Sequence, residues 1–171
     1  MKLTIAVTDA CIFIDLFDLD LIASFFNLEL EVHTTVAVYF ELYAEQQKVL
    51  KKYQSAERLI IHNLEEEDFV EIFSVNYPKS LSETDKSVLH VANKLNACVL
   101  SSDKVLRNCA KNRQIEYHGM IWIFDELVKS TILTNEMAAV KLKELVASNC
   151  IFRNNKQLVD VIAKRLKLWS E

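Results

Sequence analysis

The sequence predicts an α/β fold built around a parallel sheet that helices cover on both faces. Short apolar runs of the kind found in buried strands alternate with segments whose apolar residues recur every three or four positions. Such alternation favours βαβ units, whose strands run parallel. With 171 residues, 51% of them hydrophobic and 26% charged, the chain is expected to form one domain with its own core.

Five apolar runs are the predicted strands, and helical patterns fill the segments between them. The strands are expected at residues 3–7, 30–33, 59–62, 97–100 and 115–118, with the third at an edge of the sheet. The helices are expected at residues 10–16, 19–27, 36–52, 65–73 and 104–112, after Ser82 and after Gly119. Acids interrupt the apolar pattern of the first two helices and are expected to face solvent: Asp15, Asp18 and Asp20.

Polar residues suited to capping precede several of these helices. Ser82 is expected to cap the helix that follows it, and Thr34 or Thr35 the helix that begins at residue 36. Asp85, three residues after Ser82, makes the sequence S-E-T-D a variant of the capping box. The apolar stripe of this helix consists of Val88, Leu89, Ala92 and Leu95.

The segment from Thr134 onward is predicted to be helical throughout. We expect residues 131–171 to form a C-terminal extension packed on the same domain as a core of residues 1–130. A last helix that ends in the large apolar Trp169 is alternatively suited to packing on a partner chain. The two apolar stripes of this segment are Ala138, Leu142, Leu145 and Val146, and then Leu158, Ile162, Leu166 and Trp169.

The four cysteines, Cys11, Cys98, Cys109 and Cys150, form no C-x-x-C pair and lie in apolar or helical surroundings. We therefore expect them to be reduced and buried, as in a cytoplasmic protein. The chain reaches the acid Asp9 too early for a signal peptide, and no apolar run approaches the roughly 18 residues of a membrane span.

Charge is distributed unevenly along a chain whose net charge is -4. Residues 1–47 hold one basic and eight acidic side chains, whereas residues 104–171 hold twelve basic and seven acidic ones. This asymmetry is compatible with an acidic pocket beside a basic face, as an enzyme acting on a polyanion needs. A solvated surface without a partner explains it equally well.

Four acids stand beyond predicted strands or on apolar helices. Asp9 and Asp103 each follow a strand, and open parallel sheets bind ligands beyond the carboxyl ends of their strands. Asp85 lies on the apolar stripe of its helix. Glu41 has eight apolar neighbours between residues 36 and 44, so in a buried position it would need a cation or a proton. Helix capping is a sufficient explanation for the three aspartates taken singly.

Electrostatics limits what the four carboxylates can bind if they converge. Two like charges about 4 Å apart repel by roughly 4 kcal/mol at an effective dielectric constant of about 20, so the group needs protons or a divalent metal. Oxygen donors without His or Cys favour Mg²⁺ or Mn²⁺ over Zn²⁺. Such a metal activates water and holds a phosphodiester for in-line attack, which indicates phosphodiester hydrolysis.

Other catalytic arrangements have little support in the sequence. The four histidines, at positions 33, 62, 90 and 118, lack ligand spacing, and a single glycine excludes a glycine-rich phosphate loop. Neither a G-x-S-x-G motif nor a Cys-His nucleophile pair is evident. A receiver-like phosphoacceptor also gathers acids at strand ends, but its adjacent acids after the first strand and its later Lys are not evident.

Five motifs, in order and spacing, resemble the PIN domain family, and most of all the VapC-like ribonuclease toxins of bacterial toxin-antitoxin pairs. They are T-D-A-C-I-F-I-D-L-F, V-Y-F-E-L, L-S-E-T-D, L-S-S-D-K-V-L-R and I-E-Y-H-G-M-I-W-I-F-D-E-L, which together cover roughly residues 3–130. The first four contain Asp9, Glu41, Asp85 and Asp103.

The resemblance implies a three-layer α/β/α fold with a central parallel sheet, to which this chain adds C-terminal helices. It implies cleavage of single-stranded or looped RNA with Mg²⁺ or Mn²⁺, and makes Asp9, Glu41, Asp85 and Asp103 the metal ligands or water activators. Ser101 and Ser102 stand where relatives often carry Thr and Asn, and are expected to support the pocket. Candidates for RNA phosphate contacts, explained as well by solvated helix charges, are Lys86, Lys104 and Arg107.

Two departures from the family pattern bear on the metal site. Ala10 replaces a hydroxyl residue that is common after the first Asp, and Val105 stands where some relatives have a further acid, which leaves one or two metals open. The resemblance also implies a homodimer and an antitoxin protein as partner. The alternative is a non-catalytic PIN-like module that binds RNA or a protein.

Overall fold

A computed structural model describes residues 3–170, and their strands form a five-stranded, all-parallel sheet. The strands are β1 (Thr4–Thr8), β2 (Leu30–Thr35), β3 (Leu59–His62), β4 (Cys98–Leu100) and β5 (Tyr117–His118). Their order is β3-β2-β1-β4-β5, and each neighbouring pair runs parallel. The predicted α/β class with a central parallel sheet is confirmed, and β3 lies at an edge as predicted.

Eleven helices accompany the sheet within the described residues, and none of them is both long and apolar enough to cross a membrane. They are α1 (Ala10–Asp18), α2 (Ile22–Phe26), α3 (Val36–Glu41), α4 (Ala44–Ser55), α5 (Glu66–Ser74), α6 (Glu83–Leu95), α7 (Lys104–Asn112), α8 (Met120–Lys129), α9 (Asn135–Ser148), α10 (Cys150–Asn154) and α11 (Lys156–Leu168).

The strand order reverses at β1, which places a ligand-binding crevice in a predictable position. The chain builds β2 and β3 on one side of β1 and then crosses to build β4 and β5 on the other side. In open parallel sheets, the crevice at such a reversal opens beyond the carboxyl ends of the two strands that flank it. Asp9 follows β1 directly, and its N–H donates to the Leu100 carbonyl at 3.0 Å, so β1 and β4 stay joined up to this edge.

The predicted helix over residues 36–52 is interrupted, and the interruption has a local cause. Leu42 and Tyr43 are extended, with ψ of 155° and 154°. The Gln46 side chain accepts a hydrogen bond from the Tyr43 N–H at 3.0 Å, and the Gln47 side chain donates to the Leu42 carbonyl at 2.9 Å. These side chains replace helical backbone bonds, so α3 ends at Glu41 and a new helix begins.

By internal contacts, the described chain divides into two compact units. One joins residues 3–14 with Glu29–Met120 and contains the whole sheet. Here Val88, Leu89 and Ala92 of α6 are fully or almost fully buried, as their spacing predicts, and Leu95 is half-buried. The other unit joins Asp15–Leu28 with residues 121–170. The predicted division into residues 1–130 and 131–171 stays a prediction.

In the second unit, the C-terminal helices bury the stripes that the sequence predicts. Arg165 of α11 holds Asp125 of α8 by two hydrogen bonds, of 2.7 and 2.9 Å. Trp169 is buried, with its ring 6.2 Å from that of Phe124. The other buried members of the stripes are Ala138, Leu142, Leu145 and Ile162, and the half-buried ones are Val146, Leu158 and Leu166.

Burial of all four cysteines was the prediction, and for Cys150 it is wrong. Cys98 and Cys109 are buried and Cys11 is half-buried, whereas Cys150 is exposed at the start of α10. All four thiols are free. A five-residue helix covers little surface, so its first residue stays in solvent.

Solvent exposure of Asp15 is a second prediction that the structure contradicts. Asp15 lies one turn after the buried Ile12 on α1, and only 6% of Asp15 is exposed. Asn149 donates to its Oδ1 at 3.1 Å, while its buried Oδ2 has no hydrogen-bond partner. Burial raises the pKa of Asp15 to about 6, Asn149 opposes this shift, and the nearby charge of Asp18 adds to it.

We expect the Asp15→Asn variant to be more stable than the wild type above pH 6. The raised pKa means that the folded state favours protonated Asp15, so its stabilising contribution is complete below about pH 4 and is lost as the pH rises through 6. The gain at pH 7.5 should be roughly 1–3 kcal/mol in the free energy of unfolding, measured by urea titration at pH 4, 5, 6 and 7.5. Exposed Asp160→Asn is the control, and an Asp15→Asn variant with no gain at pH 7.5 would contradict the prediction.

Candidate functional site

Asp9 is the centre of the candidate site, because it is buried at the carboxyl end of β1 beside β4. Only 5% of the residue is exposed. Its Oδ1 accepts a hydrogen bond from the Ala10 N–H at 2.7 Å, and its Oδ2 accepts from the Ser101 hydroxyl at 2.9 Å and the Cys11 thiol at 3.2 Å. Three donors therefore fix the orientation of this carboxylate.

The pKa of Asp9 shows an electrostatic conflict at the site. Burial raises this pKa above its ordinary value, and hydrogen bonds from Cys11, Ser101 and the Ala10 N–H oppose the shift. The negative charge of Asp85 raises it further, so these two carboxylates interact although they lie 76 positions apart in the sequence. Within residues 3–170, neither acid forms an ion pair with Lys, Arg or His.

Ser101 and Ser102 lie in the loop after β4, and the first of them connects two of the predicted site acids. The Ser101 hydroxyl donates to Asp9 and accepts from the Asp103 N–H at 3.0 Å, so one buried oxygen serves both residues. The Ser102 N–H donates to the Cys11 sulfur at 3.3 Å, while the buried Ser102 hydroxyl has no partner among the described residues. The predicted supporting role fits the contacts of Ser101.

Cys11 is a site residue that the sequence reasoning missed. Its sulfur contacts the Asp9 carboxylate and the Ser102 amide, and it lies 3.5 Å from the Ser101 hydroxyl. Burial, followed by the charge of Asp9, raises the pKa of this thiol well above its usual range, so Cys11 acts here as a hydrogen-bond donor. Its place two residues after the first acid, in the first turn of a predicted helix, was the available signal.

Asp103 and Asp85 both perform the capping roles that the sequence allowed. Asp103 is exposed and caps α7, with its Oδ1 accepting from the Leu106 N–H at 2.8 Å. Half-buried Asp85 forms a reciprocal capping box at α6: its Oδ2 accepts from the Ser82 N–H at 3.1 Å, and its own N–H donates to the Ser82 hydroxyl at 3.0 Å. Each carboxylate uses one oxygen in its cap, and the other oxygen has no hydrogen bond to a described residue.

Glu41 differs from the expectation that its apolar neighbours suggested. It is the last residue of the short α3 and its side chain is exposed, so it needs no cation or proton to be stable in the free protein. The interruption after residue 41 accounts for this difference, because the apolar pattern predicts a continuous helix there. No hydrogen bond or ion pair joins its carboxylate to another described residue.

The fit of a divalent cation to this site can be judged from its donors. Asp9 and Asp85 supply carboxylate oxygens that repel each other and have no cation opposite them, which suits Mg²⁺ or Mn²⁺. Yet residues 3–170 contain no group of three or more His, Cys, Asp or Glu side chains placed to hold a metal ion. The structure brings Asp9, Ser101 and Asp85 into one neighbourhood, and convergence of all four acids stays a prediction.

Three basic residues near these elements have different surroundings. Lys86 pairs with Glu83 at 2.6 Å on α6. Lys104 is exposed at the start of α7 and has no carboxylate partner within the described chain. Arg107, one turn later, places its guanidinium 5.1 Å from the centre of the Tyr117 ring. Lys104 is thus the most accessible of the three for a phosphate.

The histidines are engaged in structural pairs that their sequence spacing did not reveal. His33 and His62 stack with ring centres 5.0 Å apart and share a 2.7 Å contact between ring nitrogens. His90 lies 2.8 Å from Asp68, whose pKa is lowered first of all by the Lys94 ammonium at 2.9 Å. These contacts satisfy polar side chains that belong to β2, β3 and α6. The candidate metal ligands are therefore the carboxylate oxygens at the strand ends.

We expect the Asp9→Asn variant to stabilise the metal-free protein. Removing the charge abolishes both its burial cost and its repulsion with Asp85, so the free energy of unfolding at pH 7.5 should rise in EDTA. Asp103→Asn is the matched control, because Asn caps helices as well as Asp does and residue 103 is exposed. Thermal unfolding measures both variants, and a fall in the melting temperature of Asp9→Asn would contradict the prediction.

The solved structures to which this chain is similar include two of low sequence identity. One, a PilT N-terminus domain protein from the hyperthermophilic archaeon Sulfolobus solfataricus P2, is 20% identical with a TM-score of 0.46, over 74% of this chain and 93% of that one. The other, a domain of a functionally unknown protein from Methanocaldococcus jannaschii DSM 2661, is 25% identical with a TM-score of 0.48, over 68% of this chain and 90% of that one. No curated protein matches the sequence significantly.

A family described as PIN domain matches residues 5–168. The match spans the sheet, the elements that contain the four acids and the helices after residue 130 alike. The predicted resemblance to the PIN domain family and the three-layer α/β/α PIN-like fold are therefore confirmed. Since the match covers almost the entire sequence, the chain belongs to the PIN domain family.

Proposed function

We propose that the chain is a metal-dependent endoribonuclease that hydrolyses RNA phosphodiester bonds beyond the carboxyl ends of β1 and β4. PIN domains are generally nucleases and typically use divalent metals. The observation that carries the proposal is Asp9, a buried carboxylate held by three donors, raised in pKa by burial and by Asp85, and lacking a cation. A site with this charge balance favours cation binding.

The proposed ligands are Asp9, Glu41, Asp85 and Asp103, with Asp9 as the central one. A bound Mg²⁺ or Mn²⁺ supplies an activated water and Lewis acidity at the phosphodiester. Ser101 orients the Asp9 carboxylate and holds the Asp103 backbone beside it, which reduces the reorganisation needed for binding. Exposed Glu41 is free to turn toward the strand ends.

Capping by Asp85 and Asp103 is compatible with this role. A carboxylate has two oxygens with about four lone-pair directions, and each of these caps uses one oxygen. The cap fixes the torsion angles of the side chain and therefore the direction of its second oxygen. Local helix capping and cation binding then support each other.

Lys104 and Arg107 are the proposed contacts to the RNA backbone. Lys104 follows Asp103 directly and is exposed, and Arg107 lies one turn later on α7 beside the Tyr117 ring. Cations near a strongly acidic pocket attract a polyanion that the pocket alone would repel. Lys86 is the weakest candidate because Glu83 already pairs with it.

Purified protein is expected to cut single-stranded RNA with Mn²⁺ or Mg²⁺ and to be inactive in EDTA. Asp9→Asn and Asp103→Asn should each lower the cleavage rate by at least about 100-fold, and Ser101→Ala by about tenfold, because each disturbs the cation or its ligands. Gel analysis of a labelled oligonucleotide measures the rates. Asp18→Asn, an exposed acid on α1, is the matched control. Undiminished cleavage by both Asp9→Asn and Asp103→Asn would rule the proposal out.

A second candidate is a non-catalytic PIN module that binds RNA or a protein. It is favoured by the absence, in residues 3–170, of any group of three or more side chains placed to hold a metal ion. Titration of Mn²⁺ by calorimetry separates the candidates. Saturable binding that Asp9→Asn abolishes supports the nuclease, and no saturable binding supports the second candidate.

We further propose that the protein is the toxin of a toxin-antitoxin pair, acting as a homodimer in the cytoplasm. The support is its resemblance to VapC-like toxins in the motifs around the four acids. A toxin of this kind is neutralised by a small partner protein encoded beside it.

Expression of the chain alone is expected to arrest bacterial growth, and Asp9→Asn should abolish the arrest by removing the central ligand. Co-expression of a small protein from the neighbouring reading frame should restore growth and yield a complex that co-elutes in gel filtration. The Asp18→Asn variant should arrest growth like the wild type. Normal growth under expression of an enzyme that cuts RNA in vitro would identify a housekeeping nuclease.

A further inference from the structure

A buried pair of hydroxyl groups connects the helix that ends at Glu41 with the helix that contains Asp85. Thr35, at the end of β2, and Ser87, on α6, are 1% and 3% exposed. Their hydroxyl oxygens lie 2.9 Å apart, although 52 positions separate the two residues in the sequence. Neither hydroxyl contacts the four proposed ligands, and neither was singled out as a site residue from the sequence.

The direction of each hydrogen bond in this region can be assigned. Ser87 donates its hydroxyl proton to the Thr84 carbonyl at 2.6 Å, so toward Thr35 it acts as acceptor. The Thr35 hydroxyl therefore donates to Ser87, and it accepts from the Val38 N–H at 3.2 Å. One continuous chain of hydrogen bonds thus runs from Val38 through the two hydroxyls to Thr84, and every hydroxyl proton in it is used.

The ends of this chain lie in the first turns of the two helices. Val38 belongs to the first turn of α3, which ends at Glu41, and Thr84 immediately precedes Asp85 on α6. The neighbouring hydroxyl of Thr34 donates to the Thr8 carbonyl at 2.7 Å, directly before Asp9. Two consecutive threonines at the end of β2 therefore connect α3 and α6, which contain Glu41 and Asp85, with the strand that directly precedes Asp9.

We infer that Thr35 and Ser87 are positioning residues that set the separation between α3 and α6, and with it the placement of Glu41 and Asp85. The inference rests on the proposed nuclease function, because it concerns the geometry of those ligands. A buried apolar pair would fill the same space without a directional bond, whereas a satisfied chain of hydrogen bonds specifies one arrangement. Displacing reacting groups by about 1 Å can slow catalysis about 100-fold. Holding Glu41 and Asp85 in one fixed arrangement would therefore favour catalysis.

Ser87→Ala removes the link without removing either helix cap. The cap of α3 is the bond from Val38 to Thr35, and the cap of α6 is the Ser82–Asp85 box. Both remain in this variant, so the helices should form while their mutual position relaxes. A matched control is Ser74→Ala on α5, where the exposed hydroxyl also donates to a carbonyl three residues earlier but has no second helix to hold.

The test compares wild type, Ser87→Ala, Thr35→Ser and Ser74→Ala. For Ser87→Ala we expect a melting temperature lower by roughly 2–5 °C, Mn²⁺ affinity weaker by about 3–10-fold, and kcat for RNA cleavage lower by about tenfold with KM within about twofold. Thr35→Ser keeps the hydroxyl and should behave as wild type, as should Ser74→Ala. Calorimetry gives the Mn²⁺ affinity, and initial rates on a labelled oligonucleotide give kcat and KM.

Hydrogen exchange at the amides of α3 separates failure of this inference from failure of the proposed function. Faster exchange at these amides in Ser87→Ala but not in Ser74→Ala supports the link, even if the wild type neither binds Mn²⁺ nor cuts RNA. Unchanged exchange in Ser87→Ala overturns the link. In an active enzyme, wild-type Mn²⁺ affinity and kcat in Ser87→Ala overturn the positioning role.

Discussion

The pairing of β1 with β4 at their carboxyl ends is the constraint on which the candidate site depends. The bond from the Asp9 N–H to the Leu100 carbonyl continues that pairing past the end of β1 and brings Asp9 beside Ser101. A buried, unpaired carboxylate is costly, and here three hydrogen-bond donors reduce this cost without removing it. The stability of the Asp9 charge therefore depends on the register of β1 and β4. A shift of β4 by one residue would remove the Ser101 hydroxyl from Asp9.

Much of the fold can be predicted from short-range sequence patterns. The structure differs from the prediction where contacts between distant residues, or competing side-chain hydrogen bonds, decide the outcome. The strands and the caps at Ser82, Asp103 and Thr35 were predictable because each depends on residues only a few positions away. Asp15 was misassigned because its partner Asn149 lies 134 positions later in the chain. The break after Glu41 depends on two glutamine side chains that compete with backbone bonds, a preference that apolar periodicity does not register.

The candidate site shows the same division. The positions of Asp9 and Asp103 at strand ends were predictable from the alternation of strands and helices, since parallel strands end at one edge of the sheet. The contacts of the Cys11 thiol with Asp9 and of Thr35 with Ser87 were not predictable, because they depend on how side chains from different elements pack. For Glu41, an apolar neighbourhood in sequence indicated burial, and the actual exposure follows from the end of α3 at that residue.

Helix capping and the proposed gathering of metal ligands at this site have a common physical origin. In a parallel α/β fold, the helices begin at the edge where the strands end, so their unpaired N–H groups and positive dipole ends point toward that edge. Asp9, Asp85 and Asp103 lie at the starts of α1, α6 and α7 and accept hydrogen bonds from N–H groups there. Those N–H groups stabilise negative charge, which lets a fold keep several carboxylates near one crevice before any cation arrives. Hydrogen bonds from N–H groups at helix starts thus allow such acids to lie near one another.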